Sequence, residues 1–103
     1  MAVALIQEFK IQGDDRTTTN YDAIQERLNA SENPPEGGIF HTAGFDEEAG
    51  VFRIFDVWET REQGERFIAE RIMPIVEEFG SGGTNLRPPD REVWYELHDV
   101  MPG

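Results

Sequence analysis

The segment Val51-Phe52-Arg53-Ile54-Phe55-Asp56-Val57-Trp58 constrains the fold most, because it reads as a strand with apolar side chains on both sides. Successive residues of a strand point to opposite faces. Val51, Phe55 and Val57 therefore share one face, and Phe52, Ile54 and Trp58 share the other. A strand with one wet face alternates apolar and polar residues, so this one calls for cover on both sides. Glu92 to Val100 has the same character, with Val93, Tyr95 and Leu97 on one side and Trp94 and Val100 on the other.

The rest of the chain supplies cover for one of those faces. Val3, Leu5, Phe9 and Ile11 recur every second position, interrupted by Gln7, so Val3 to Ile11 is a first strand closed by Gly13-Asp14-Asp15. Thr17 to Asn20 offer helix caps, and Tyr21, Ile24 and Leu28 then fall three and four apart on one face of a first helix. Asn33-Pro34-Pro35-Glu36-Gly37-Gly38 cannot continue that helix and reverses the chain. The run Ile39 to Phe45 is a second strand, joined to Val51–Trp58 by the hairpin loop Asp46-Glu47-Glu48-Ala49-Gly50.

Thr60-Arg61-Glu62-Gln63 has the spacing of a capping box, in which the Thr60 hydroxyl and the Gln63 side chain satisfy exposed amides at a helix start. A long helix follows, with Phe67, Ile68, Ile72, Ile75, Val76 and Phe79 as its apolar stripe and Glu62, Arg66 and Glu70 four apart on the exposed side. Pro74 predicts a kink, since its ring opposes the carbonyl of Glu70. Gly80-Ser81-Gly82-Gly83 stops the helix, and a flexible connection runs on to Pro89 before the last strand, Glu92 to Val100.

The order β-α-β-β-α-β is the ferredoxin-like arrangement, an α+β fold with a four-stranded antiparallel sheet. With 103 residues the chain has room for one domain, spanning 1–103. Two helices cover one face of such a sheet, so the other needs a partner, and a second copy of the chain is the simplest. The alternative is an amphipathic second face kept wet by Arg53, Asp56, Glu96 and His98.

Composition narrows the function. Twenty-one acidic residues against nine basic ones give a net charge of −12, which makes nucleic acid and membrane surfaces poor partners. The absence of Cys removes disulfides, thiolate zinc sites and cysteine nucleophiles. Met-Ala-Val-Ala-Leu-Ile runs into Gln7, Glu8 and Lys10 without a basic leader, and no apolar run approaches the ~18 residues of a membrane span, so a cytoplasmic protein is expected. Gly-x-Ser-x-Gly, phosphate-loop and dinucleotide fingerprints are absent, and Gly80–Gly83 follows a helix where a phosphate site would precede one. With two His, no His pair at helical spacing and scattered carboxylates, no metal site is expected.

The element order, the strand Gly38-Ile39-Phe40-His41 and the run Trp58-Glu59-Thr60 leading into the long helix resemble the dimeric α+β barrel superfamily. The closest look is to its antibiotic-biosynthesis-monooxygenase-like members, from Val3 to Val100. That resemblance implies a homodimer whose two sheets pack into a barrel, with a small-molecule cavity in each subunit between sheet and helices. Members include cofactor-free monooxygenases acting on polycyclic aromatic compounds, haem-degrading enzymes and isomerases. The axial His that haem-degrading members carry on a helix has no counterpart, because neither helix here contains His. No cofactor is expected.

His41 interrupts a strand whose same-face neighbours are Ile39, Ala43 and Phe45. It reads either as a base that orients or deprotonates a substrate near neutral pH, or as a structural histidine bonded to Thr42, Asp56 or a backbone carbonyl. Hairpin register decides its neighbours: an odd sum of paired residue numbers sets it beside Ile54, Asp56 and Trp58, an even sum beside Phe55 and Val57. Three- and four-residue turns both fit the loop. Trp58, Tyr21, Phe67 and Tyr95 line an apolar cavity or fill the core. His98-Asp99 point to opposite faces at a strand end. The expected function is thus a cofactor-free, monooxygenase-like protein for an aromatic or other apolar small molecule, or a non-catalytic ligand-binding or self-associating dimeric module. A cavity reaching His41 belongs to the first and a filled interior to the second.

Overall fold

Two segments, β1 (Val3–Lys10) and β3 (Val51–Trp58), lie side by side at the centre of the sheet in a computed structural model of the chain. The structure describes residues 1–81 and 88–101, without the side chains of 79–81. In chain order the other elements are α1 (Thr19–Leu28), β2 (Gly38–Asp46), α2 (Arg61–Phe67), a π-helical turn (Ile68–Ile72), α3 (Met73–Ser81) and β4 (Arg91–Glu96). α3 runs on through Gly80 and Ser81, the first half of the expected glycine stop, while Gly82-Gly83, most of the connection to Pro89 and the Phe79 side chain lie outside the described residues. The sheet runs β2-β3-β1-β4 with every neighbouring pair antiparallel, the ferredoxin-like α+β arrangement.

Register assigns each residue a face. Leu5 lies opposite both Asp56 and Trp94, so Val3, Leu5, Asp56, Trp58 and Trp94 share one face, and α2 and the π-helical turn pack on it. The core there is Val3, Leu5 and Trp58, with Phe67, Ile68 and Trp94 against it. Gly64 lets the helix come this close: a Cβ at that position would sit 2.8 Å from the Trp94 ring and 3.1 Å from the Trp58 ring. Ala4, Ile6, Phe55, Val57, Val93 and Tyr95 point the other way; Ala4 and Val57 are buried there and Tyr95 is exposed, and among the described residues the helices join the core cluster of the first face only.

Of the four residues that would keep this second face wet, Arg53 alone stands on it. Asp56 and Glu96 are on the helix-covered face, and His98 lies beyond the strand. β4 stops at Glu96, earlier than the expected Val100, because Glu96 pairs with Val3 and the Leu97 amide donates to the Ala2 carbonyl at 2.9 Å. Beyond Ala2 little of β1's side remains to pair with. β1 likewise closes at Lys10, although the Ile11 amide still donates to the Gly50 carbonyl at 3.0 Å.

Local signals explain the helix ends. Thr60 is extended (φ −141°, ψ 154°), and its Oγ1 accepts from the Gln63 amide at 3.2 Å. The other half of the expected capping box differs, since the Gln63 Oε1 accepts from the Thr60 hydroxyl at 3.1 Å. α1 ends at Asn29, which takes the left-handed conformation (φ 48°) open to Asn among non-glycine residues. Before Pro74 the helix opens into the π-helical turn, with the Met73 amide reaching the Ile68 carbonyl. Widening that turn is how the helix meets a ring that would strike the Glu70 carbonyl in α geometry.

Candidate functional site

The hairpin pairs His41 with Asp56, a sum of 97, so the odd register holds and a four-residue loop, Glu47–Gly50, joins β2 to β3. Gly50 (φ +72°) makes the return and the Asp46 carboxylate caps the loop, accepting from the Ala49 amide at 3.0 Å. A bulge between Gly38 and Phe40 brings β2 into this register. His41, Ala43 and Phe45 consequently join Asp56, Ile54 and Phe52 on the helix-covered face.

There His41 stands between two partners. Its Nδ1 lies 2.5 Å from Asp56 Oδ1, and its Nε2 lies 2.6 Å from the Tyr21 hydroxyl. Each comes from a different element: Tyr21 from the first turn of α1, His41 from β2 and Asp56 from β3. Tyr21 is set by its ring, which meets Phe52 edge-on at 5.4 Å and lies within 9° of parallel to the imidazole. A carboxylate only accepts hydrogen bonds, so the Nδ1 of His41 carries the proton given to Asp56.

Electrostatics follow from these contacts. The hydrogen bond to Asp56 raises the His41 pKa above its ordinary value, against a smaller opposing effect of burial. Burial, followed by the negative charges of Asp56 and Asp22, raises that of the Tyr21 phenol. The Asp56 side chain is 13% exposed and that of His41 43%, so the carboxylate sits beneath an imidazole that reaches solvent.

The other sequence candidates divide. Trp58 and Phe67 meet each other in the core, with ring centroids 5.2 Å apart. Trp58 is 3% exposed, and its indole Nε1 has no hydrogen-bond partner among the described residues. Tyr95 does not join them: it lies opposite Ala4 on the uncovered face and is 44% exposed, because the β4 register turns Trp94 inward in its place. Trp94, Phe52, Phe45 and Phe9 are aromatics of the same sheet face not singled out from sequence as site residues, and the parity of the strand pairing was the signal that would have found them.

Among the described residues, clefts open against the helices and along the sheet's edge. One of about 230 Å³ lies against Pro34, Gln63, Phe67 and Arg71, and one of about 270 Å³ lies along the outer strand at Thr42, Phe45, Arg53 and Phe55. His41 lines neither. Among the described residues no three His, Cys, Asp or Glu converge as a metal site, and no helix is long and apolar enough to cross a membrane.

Solved structures share this architecture. Rv0793 from Mycobacterium tuberculosis superposes with a TM-score of 0.66 at 15% identity, covering 98% of this chain and 99% of that one. SnoaB, a cofactor-independent oxygenase from Streptomyces nogalater, gives 0.61 at 13% identity over 99% and 98% of the two chains. A putative antibiotic biosynthesis monooxygenase from Chloroflexus aurantiacus gives 0.59 at 16% identity over the full length of both. No protein-family model and no curated protein matches the chain. The chain shares the fold of these structures, among them proteins described as a cofactor-independent oxygenase and an antibiotic biosynthesis monooxygenase.

Proposed function

We propose that this chain is a cofactor-free, monooxygenase-like enzyme that moves a proton to or from an aromatic or other apolar small molecule. The observation that carries the reading is the hydrogen-bonded chain Asp56, His41 and Tyr21, drawn from three elements onto one face. An imidazole oriented by a carboxylate has a defined tautomer and a pKa suited to proton transfer near neutral pH. The buried Trp58 N–H supports it too: an unpaired buried donor costs about 1–3 kcal/mol, which a ligand oxygen would recover. Trp58 and Phe67 then bind the apolar part of the substrate.

The proposed enzyme is a homodimer joined through the uncovered sheet face. Phe40 and Tyr95, 59% and 44% exposed, stand on that face with the half-buried Ile6, Phe55 and Val93. Its charged end is a balanced network in which Arg53 donates to Glu8 and Asp46, each at 2.7 Å, and Arg91 donates to Glu8 at 3.2 Å. Arg53 beside Glu8 holds that carboxyl below the usual carboxylate range. A face whose network pairs two Arg with two acids meets its copy without the repulsion that a net charge of −12 otherwise imposes.

Oxygen uptake with a panel of polycyclic phenols, in metal-free buffer without added cofactor, tests the reading. The expected result is turnover that falls about 10²-fold or more in His41→Gln. Equal turnover in that variant removes His41 from the chemistry. One observation favours a second reading, a non-catalytic binding or self-associating module: the clefts stop short of His41. Phenols that bind without being consumed decide for it.

A further inference from the structure

The hydrogen bonds of His41 leave it no free nitrogen. Nδ1 is engaged by Asp56 and Nε2 by Tyr21, so the 43% of the side chain open to solvent offers a third molecule no unengaged ring nitrogen. A phenol hydroxyl has one hydrogen and two acceptor sites, and one bond to His41 uses only one of them. We infer that the Tyr21 hydroxyl, rather than the His41 imidazole, meets the substrate and acts as a proton relay on a phenol or an enolisable ketone; the inference rests on the proton-transfer reading of the same site.

The relay follows from hydrogen-bond direction. While His41 is neutral, its proton sits on Nδ1 toward Asp56, and Nε2 accepts from the Tyr21 O–H. The outward side of Tyr21 then offers only lone pairs. When His41 is charged, Nε2–H donates to the phenol oxygen, and the phenol hydrogen is free to point outward. Protonation of His41 thus turns one hydroxyl from acceptor to donor.

In the forward step the Tyr21 oxygen takes the substrate proton while its own proton passes to Nε2. A substrate O–H or C–H bond and the original Tyr21 O–H break, and a new Tyr21 O–H and the Nε2–H form. The electron pair stays on the substrate. With an O–H substrate the negative oxygen meets the hydrogen just transferred, so the group that removes the proton also stabilises the product anion. Asp56 remains ionised and balances the imidazolium. Conjugate bases that hold their charge on oxygen fit this arrangement, as phenolates and enolates do.

The groups that set the titration are Asp56 on β3, facing His41, and Asp22 on α1, which with Asp56 acts on Tyr21. Burial first, and then both carboxylates, keep Tyr21 from ionising by itself, so its hydroxyl is intact at neutral pH and gives up its proton only as it gains one.

4-Nitrophenol tests the relay, because its phenolate absorbs where the phenol does not and no oxygen is needed. At a pH below its own pKa, the ligand bound to the wild-type protein is expected to show phenolate absorbance, with affinity falling about tenfold or more in Tyr21→Phe. Phenolate binding unchanged in Tyr21→Phe overturns the inference, since His41 would then meet the ligand directly. So does wild-type protein that binds no phenolate. Nitrogen-15 shifts of wild-type His41 give a readout free of mutation: the relay requires neutral His41 to carry its proton on Nδ1, and an Nε2 proton overturns it. Phenolate binding without oxygen uptake would fail the oxygenase reading and leave the relay standing.

Discussion

At the scale of single residues, the Asp56–His41 contact should be visible in pH dependence. His41 has a raised pKa in the folded chain, so the pair's stability is fully present below the ordinary histidine value of 6.5 and disappears as pH rises through the raised value. Asp56→Asn is expected to return the His41 pKa toward 6.5, read by NMR titration. The stability gap between wild type and Asp56→Asn, from urea midpoints, should shrink across the same range. Because His41 is 43% exposed, solvent screening holds that gap under about 1 kcal/mol. His41 was legible as the residue to watch because an imidazole broke an apolar strand face. Its bond to Tyr21 was not, because that depends on how α1 is rotated over the sheet, and a three-and-four spacing leaves the rotation open.

At the scale of elements, Gly64 sets the distance between α2 and the sheet. Gly64→Ala improves helix propensity by about 1 kcal/mol but drives a methyl group into the Trp58 and Trp94 rings, so a net loss of about 1–2 kcal/mol is expected in urea denaturation. Gly44 is the control: a Cβ there meets nothing within 4 Å, and Gly44→Ala should leave the midpoint equal or slightly raised. Thr60→Ala removes the acceptor for the Gln63 amide and should cost about 1 kcal/mol in the same measurement. The Thr60 cap and the β3 bounds were readable because caps and turns are local. The length of β4 was not, since a strand ends where its neighbour's backbone ends, and Ala2 is far from Leu97 in sequence.

At the scale of the whole molecule, the uncovered sheet face is the feature with most to lose in water. Light scattering is expected to give twice the chain mass at micromolar concentration, and Phe40→Glu combined with Tyr95→Glu to give the monomer mass with the fold retained. A monomeric wild type would remove the dimer from the proposal. The sequence by itself determined the element order and the hairpin, because these follow from periodicities of two and 3.6 and from local turn chemistry. Tertiary structure alone decided which side of β3 meets the helices, that Tyr95 faces away from His41, and that Tyr21 and Asp56 close on His41 from opposite sides. Strand parity is a relation between segments distant in the chain, and a one-residue slip would have exchanged every one of those neighbours.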